Sequence, residues 1–125
     1  MSLEADLTSL ASDKAARDAY LARNALETAT YPTARFVVFY SADDLADSLD
    51  LADALHEQTL LAYGMNGAEL PMEHGAPLRL RVPRQLGYKS VKYLSRIYVT
   101  DSLRGIGSGK GSISPDLGYS WYAGI

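Results

Sequence analysis

At 125 residues the chain has a single-domain length, able to bury roughly two-thirds of its unfolded surface without a disulfide or metal staple. Hydrophobic residues at 47% and charged residues at 22% are ordinary globular values, and a net charge of −3 lacks the basic excess of a nucleic-acid-binding protein. The absence of cysteine excludes disulfides, thiolate catalysis and cysteine-ligated zinc or iron–sulfur sites within these residues.

The charge is uneven. Residues 1–57 hold eleven of the fifteen acids, whereas residues 79–96 hold Arg79, Arg81, Arg84, Lys89, Lys92 and Arg96 and no acid. A local basic segment in an acidic chain points to a small anionic ligand rather than a polyanion. No apolar run approaches the length of a membrane span, and residues 1–20 lack a basic region followed by an apolar one, so neither membrane nor export signal is expected.

In chain order, residues 12–28 are expected to form a helix. Ser12 or Asp13 can cap it, Ala15, Ala16, Ala19, Tyr20, Arg23 and Leu26 keep helical spacing, and Tyr31-Pro32 ends it. Arg35 to Ser41 is β-branched and aromatic, a strand expected to be buried on both faces. Asp43-Asp44 opens a polar loop, and Asp50 to Leu55 makes a short helical turn capped by Asp50. Thr59 to Met65 reads as a second strand, Asn66-Gly67 as a tight turn in which both residues tolerate positive φ, and Glu69-Leu70-Pro71 as the return arm. Between Pro77 and Pro83, Leu78, Leu80 and Val82 alternate with Arg79 and Arg81, so the strand presents an apolar face and a basic face. Val91 to Thr100 closes the regular part with Leu94, Ile97 and Val99 as core. The Gly- and Ser-rich tail from Ser102 ends in Tyr119, Trp121 and Tyr122, which favours an ordered loop pinned by aromatics. Strands dominate beside one N-terminal helix, so the class is α+β with mixed or antiparallel sheets.

The segment Glu73-His74-Gly75-Ala76-Pro77-Leu78-Arg79, followed eleven residues after the arginine by Ser90-Val91-Lys92, carries the chemistry. A guanidinium grips phosphate with two parallel hydrogen bonds, an ammonium adds a point charge, and a histidine donates near neutral pH. Small residues at Gly75 and Ala76 let a ligand approach the backbone. Gly87-Tyr88-Lys89-Ser90-Val91-Lys92 supplies backbone N–H groups, a hydroxyl and two ammonium groups, the parts of an anion nest. Two arginines on one strand face are equally a solvated sheet face, and a lone histidine is more often a surface residue.

The order of these motifs is similar to a known family. Leu60-Leu61-Ala62-Tyr63-Gly64-Met65-Asn66-Gly67, Leu70-Pro71, Glu73 to Leu80, Val82-Pro83 and Gly87 to Leu94 resemble the molybdopterin-binding domain of the sulfite oxidase family, from about Ala34 to Ile125. That family includes plant-type nitrate reductase and the periplasmic protein-methionine-sulfoxide reductases. The resemblance implies that His74, Arg79, Ser90, Val91 and Lys92 bind molybdopterin, and it makes Tyr119, in Asp116-Leu117-Gly118-Tyr119, a candidate beside metal and substrate. It also implies a molybdenum-ligating cysteine that these residues lack, so an inactive module is expected from this chain alone. Residues 4–36 faintly resemble a segment of the YceI-like lipid-binding barrels, which divides the chain into 1–33 and 34–125.

The expectations are therefore a partial molybdopterin-binding oxidoreductase domain or a self-associating module derived from one. Its partners would be a small anionic substrate and another copy or a complementary chain, with no nucleic acid and no membrane. Its location would be cytoplasmic by default, or periplasmic as in part of the family.

Overall fold

The computed structural model describes residues 2–6 and 35–125. The helix expected over 12–28, the YceI-like segment and most of the proposed division at 33/34 lie outside the described residues.

The largest sheet has four strands in the order β1-β8-β2-β3, all antiparallel. β1 is Ser2–Asp6, β2 Phe36–Ser41, β3 Ala46–Asp50 and β8 Leu94–Thr100. β2 sits in the middle because its residues are apolar on both faces. Val37, Val38 and Phe39 are all fully buried. Val37 faces Val99 and Leu49 across the ladders and Phe39 faces Ile97, and these side chains belong to the main core. Val38 points the other way, paired with Ser48. The C-terminal tail closes that second face. Ser48 Oγ donates to Gly111 O, Trp121 Nε1 donates to Ser48 Oγ at 2.7 Å, and Phe36 meets the Trp121 ring edge-on.

Two short sheets complete the fold. β4 (Leu60–Ala62) pairs with β7 (Arg79–Arg81), placing buried Leu61 opposite buried Leu80. β5 (Gly64–Met65) and β6 (Ala68–Glu69) form a hairpin closed by Asn66 at φ 55° and Gly67 at φ 77°. The two positive values fit the turn type whose twist matches paired strands. The main core joins both sheets, with Val37, Phe39, Leu49, Leu61, Leu78, Leu80, Val82, Leu94, Ile97 and Val99 in one cluster.

The α+β class stands, although the helices among the described residues are single turns at Leu51–Ala54 and Ile113–Asp116. The first has the expected cap, since Asp53 N donates to Asp50 Oδ1 at 2.7 Å. Other boundaries move. Residues 46–50 are a strand rather than loop, because Asp47 and Ser48 are buried by pairing with the tail and with Lys89. The strand expected over Thr59 to Met65 breaks at Tyr63, where its pairing passes from β7 to β6. The last strand begins at Leu94, not Val91, because Tyr93 takes φ 53°. Among the described residues no helix is long and apolar enough to cross a membrane.

Candidate functional site

The site is built on β7 and the loops at its two sides. Leu80 enters the core, so Arg79 and Arg81 necessarily face the other way. Before β7, the 3-10 turn Met72–His74 ends at Gly75, whose φ of 105° is open to glycine but strained for other residues. A Cβ on Gly75 would lie 2.8 Å from the Lys92 Cβ. Gly75 is therefore small so that Lys92 can pack on it, rather than to admit a ligand as the sequence suggested. Backbone bonds fasten the two segments together: Tyr93 N donates to Gly75 O, Leu94 N to Leu78 O and Leu80 N to Val91 O.

The cations complete the fastening. Arg79 Nη1 donates to His74 O at 3.0 Å, Nη2 to Ser90 O at 3.2 Å, and Nε to Leu80 O at 3.3 Å. Lys92 Nζ donates to Glu73 O at 2.7 Å. Carbonyl oxygens orient these groups without neutralising them. Partial burial pushes the Arg79 guanidinium below its ordinary pKa, and the neighbouring charge of Arg81 pushes the same way. Both terminal nitrogens of Arg79 still carry an unshared N–H. Ser90 is buried, its Oγ accepting from Val82 N at 3.1 Å while its own proton is left to give.

Arg79, Gly87 and Ser90 form a wall between two cavities. One, of about 400 Å³, is lined by Ala62, Gly64, Met65, Leu70, His74 and Arg81 besides the wall, and holds no acid. The other, of about 380 Å³, is mixed in character, lined by Lys92 and Tyr88 as well as by Asp43 and Asp47. The Ser41 hydroxyl holds the Asp43 carboxyl below its usual range.

Of the residues singled out from sequence, Arg79 and Ser90 thus border both cavities, His74 lies on one side, and Val91 and Lys92 on the other. Val91 also packs against the core. Tyr119 lines neither cavity; it is exposed, with its ring 5.4 Å from that of Tyr88. Lys89 departs from the expected anion nest. Its ammonium turns inward to Asp47 at 2.6 Å, beneath the Trp121 ring. Burial drives the two pKa values toward the neutral forms, Asp47 up and Lys89 down, while their mutual attraction opposes both shifts. Sequence reading missed Arg81 and Tyr88 as lining residues. The alternation that put Arg81 beside Arg79 already held the first; nothing local distinguishes Tyr88.

Phosphate suits this donor set: two guanidiniums, an ammonium, a hydroxyl and an imidazole, with one cavity free of carboxylate. A protein thiolate for molybdenum is absent from the 125 residues, and the described residues hold no cluster of three or more potential metal ligands. The phosphate end of molybdopterin fits, then, and the protein's own metal ligand does not come from these residues.

The family model of the oxidoreductase molybdopterin binding domain matches residues 16–105. The chain belongs to that family, whose cofactor is molybdopterin. A protein of Azospira oryzae, YedZ1, whose name provisionally makes it a protein-methionine-sulfoxide reductase subunit, is 42% identical over 91 residues, 73% of this chain and 32% of the relative. An NADPH nitrate reductase of Mycosarcoma maydis is 44% identical over 75 residues, 54% of this chain and 8% of the relative. The protein-methionine-sulfoxide reductase catalytic subunit MsrP of Pseudomonas syringae is 51% identical over 51 residues, 41% of this chain and 15% of the relative. This chain spans about a third or less of each of these proteins. The family match begins before Ala34 and ends before Tyr119.

Proposed function

We propose that these residues hold molybdopterin by its phosphate, with Arg79 as the central contact. The observation that carries this reading is a guanidinium held by three carbonyl oxygens, with no carboxylate partner among the described residues, in the wall between two cavities. The phosphate takes the unshared N–H groups of Arg79 and the Ser90 hydroxyl. Lys92 adds charge from one side and His74 a donor from the other. The mixed cavity, with Asp43, Lys92 and Tyr88, offers both donors and acceptors, as the hydrogen-bonding edge of a pterin requires. When bound, molybdopterin carries molybdenum on its dithiolene and supplies the redox chemistry.

The residues present bind and orient; they do not complete the coordination of the metal. The isolated chain is expected to show no sulfite-dependent reduction of an electron acceptor, and a measured rate above background would overturn that part. The reactions named for the relatives, reduction of methionine sulfoxide and of nitrate, belong to a protein that includes the missing thiolate. Tyr119, through Tyr88, borders the mixed cavity at most indirectly, so its substitution by Phe is expected to leave cofactor content unchanged.

Metal analysis together with the fluorescence of oxidised pterin released from purified protein tests the reading. Pterin is expected in the wild type, and Arg79→Ala and Lys92→Ala should each reduce it roughly tenfold or more, the worth of a charge-assisted hydrogen bond. Equal pterin in all three proteins would sink it.

A second reading, association with another copy, is favoured by an exposed apolar stretch. Tyr63 and Met65 are exposed along a groove formed by residues 60–69, and Met72 is 70% exposed nearby in sequence. Light scattering decides it: a dimer that Met65→Lys dissociates supports association, and a monomer at all concentrations removes it.

A further inference from the structure

A phosphate at Arg79 leaves part of the mixed cavity without a use. Tyr88, Leu45 and Ile113 line that cavity of about 380 Å³ beside the polar groups already described. Leu45 and Ile113 are exposed, and Tyr88 is half-buried and stands outside the core cluster. Tyr88 is nonetheless held in place. Its hydroxyl donates to Ser120 O at 2.7 Å, and the Tyr119 ring packs against it, centroids 5.4 Å apart and planes tilted by 49°. Burial pushes the Tyr88 phenol above its ordinary pKa and the Asp47 charge adds to the shift, so the hydroxyl stays a donor. The chain is tied down on either side of it: Leu86 N donates to Ala123 O, and Lys89 Nζ to Asp47. A tyrosine ring fixed beside a cavity, rather than packed into the core, gives up little conformational freedom when a flat ligand lies against it.

We infer that Tyr88, with Leu45 and Ile113, is the resting surface for the ring system of the cofactor, so that this cavity selects a flat heteroaromatic group joined to a phosphate over a phosphate alone. The ring lies against the tyrosine, where stacking is worth roughly tenfold in affinity. Its hydrogen-bonding edge meets Asp43 and Lys92, and its phosphate stays at Arg79 and Ser90. A phosphate ester without a π-face gains the phosphate contacts only. Leu45 and Ile113 supply the remaining apolar contact. This inference rests on the reading of Arg79 as a phosphate contact, and adds to it a part that can fail separately.

Calorimetric titration of the purified 125-residue protein with three probes tests it: 6-hydroxymethylpterin, its phosphate ester, and orthophosphate. The wild type is expected to bind the pterin phosphate roughly tenfold or more tightly than orthophosphate. Tyr88→Ala should lose that preference and leave orthophosphate affinity unchanged, whereas Tyr88→Phe, which keeps the ring and drops the hydroxyl, should retain most of it. Tyr88 lies outside the core cluster, and the melting temperature of each variant checks that the fold persists. Equal affinity of the wild type for pterin phosphate and orthophosphate overturns the platform alone. So does a Tyr88→Ala variant that keeps the preference, or one that weakens both probes in the same proportion, which marks Tyr88 as a brace of the turn carrying Ser90. A Tyr88→Phe variant as weak as Tyr88→Ala overturns it too, since the hydroxyl tether and not the ring would then matter. If the wild type binds the unphosphorylated pterin through Tyr88 and adding the phosphate gains nothing, the platform stands and the phosphate reading of Arg79 falls. If no probe binds, both fall together.

Discussion

Cations from one basic stretch of sequence meet different fates. Lys89 and Arg84 turn toward buried carboxylates, Lys89 to Asp47 at 2.6 Å and Arg84 to Asp53 at 3.0 Å. Arg79 and Lys92 turn toward carbonyl oxygens, and Arg81 toward a cavity. Arg96 takes a third course, 4.0 Å above the Tyr40 ring. A carboxylate partner spends a cation on architecture; a carbonyl partner orients it and leaves its charge for a ligand. The contrast separates scaffold from site without reference to any relative.

The largest effect that could break this contrast lies at Lys89. Both members of its pair are almost wholly buried, so removing one leaves an uncompensated charge. Lys89→Met is expected to cost about 3–5 kcal/mol in urea denaturation, whereas the double change Asp47→Leu with Lys89→Met should cost far less. Phosphate affinity per folded molecule should be untouched. A Lys89→Met protein that keeps its stability and loses phosphate binding would move Lys89 into the site and collapse the distinction.

Gly75 comes next, because it joins the two regions. Its positive φ and its contact with Lys92 are both lost to an added methyl group. Gly75→Ala should lose about 1–3 kcal/mol, the range for a strained backbone position. It should also displace Lys92 from Glu73 O, so phosphate affinity falls with it. Stability lost with unaltered phosphate affinity would show that the Lys92 position does not matter to binding.

These expectations depend on different depths of legibility in the sequence. The β-branched run at 36–41 and the Leu-Arg alternation at 78–82 disclose strands because their side chains report the faces directly, and the core follows from them. The Asn66-Gly67 turn is equally plain. The β3 strand was not: Ala46 to Asp50 is polar, and its burial comes from Lys89 and Trp121, forty or more positions away. The same distance hid the role of Lys89. In sequence it sits three residues before Lys92 and looks identical in chemistry. The 3-10 turn at Gly87–Lys89 sends one inward and leaves the other at the surface. Motif order put Arg79, Ser90 and Lys92 together, but the division of the site into two cavities came from the fold.

The smallest predicted effect sharpens the comparison most, since it sets a charge against a neutral group on one carboxylate. Asp53 is 4% exposed and accepts from Arg84 Nη1 at 3.0 Å and Gln85 Nε2 at 2.6 Å. Arg84 is half exposed, so water and salt screen its attraction. Gln85 is buried and also accepts from Ala123 N, tying the C-terminal end to the helical turn that carries Asp53. Gln85→Ala should therefore cost about 2 kcal/mol, because it strands a buried carboxylate oxygen and a buried N–H. Arg84→Ala should cost about 0.5–1 kcal/mol, falling further in added salt. If Arg84→Ala proved the more damaging of the two, formal charge rather than burial would decide which groups hold this fold, and the cations of the candidate site would have to be counted as scaffold as well.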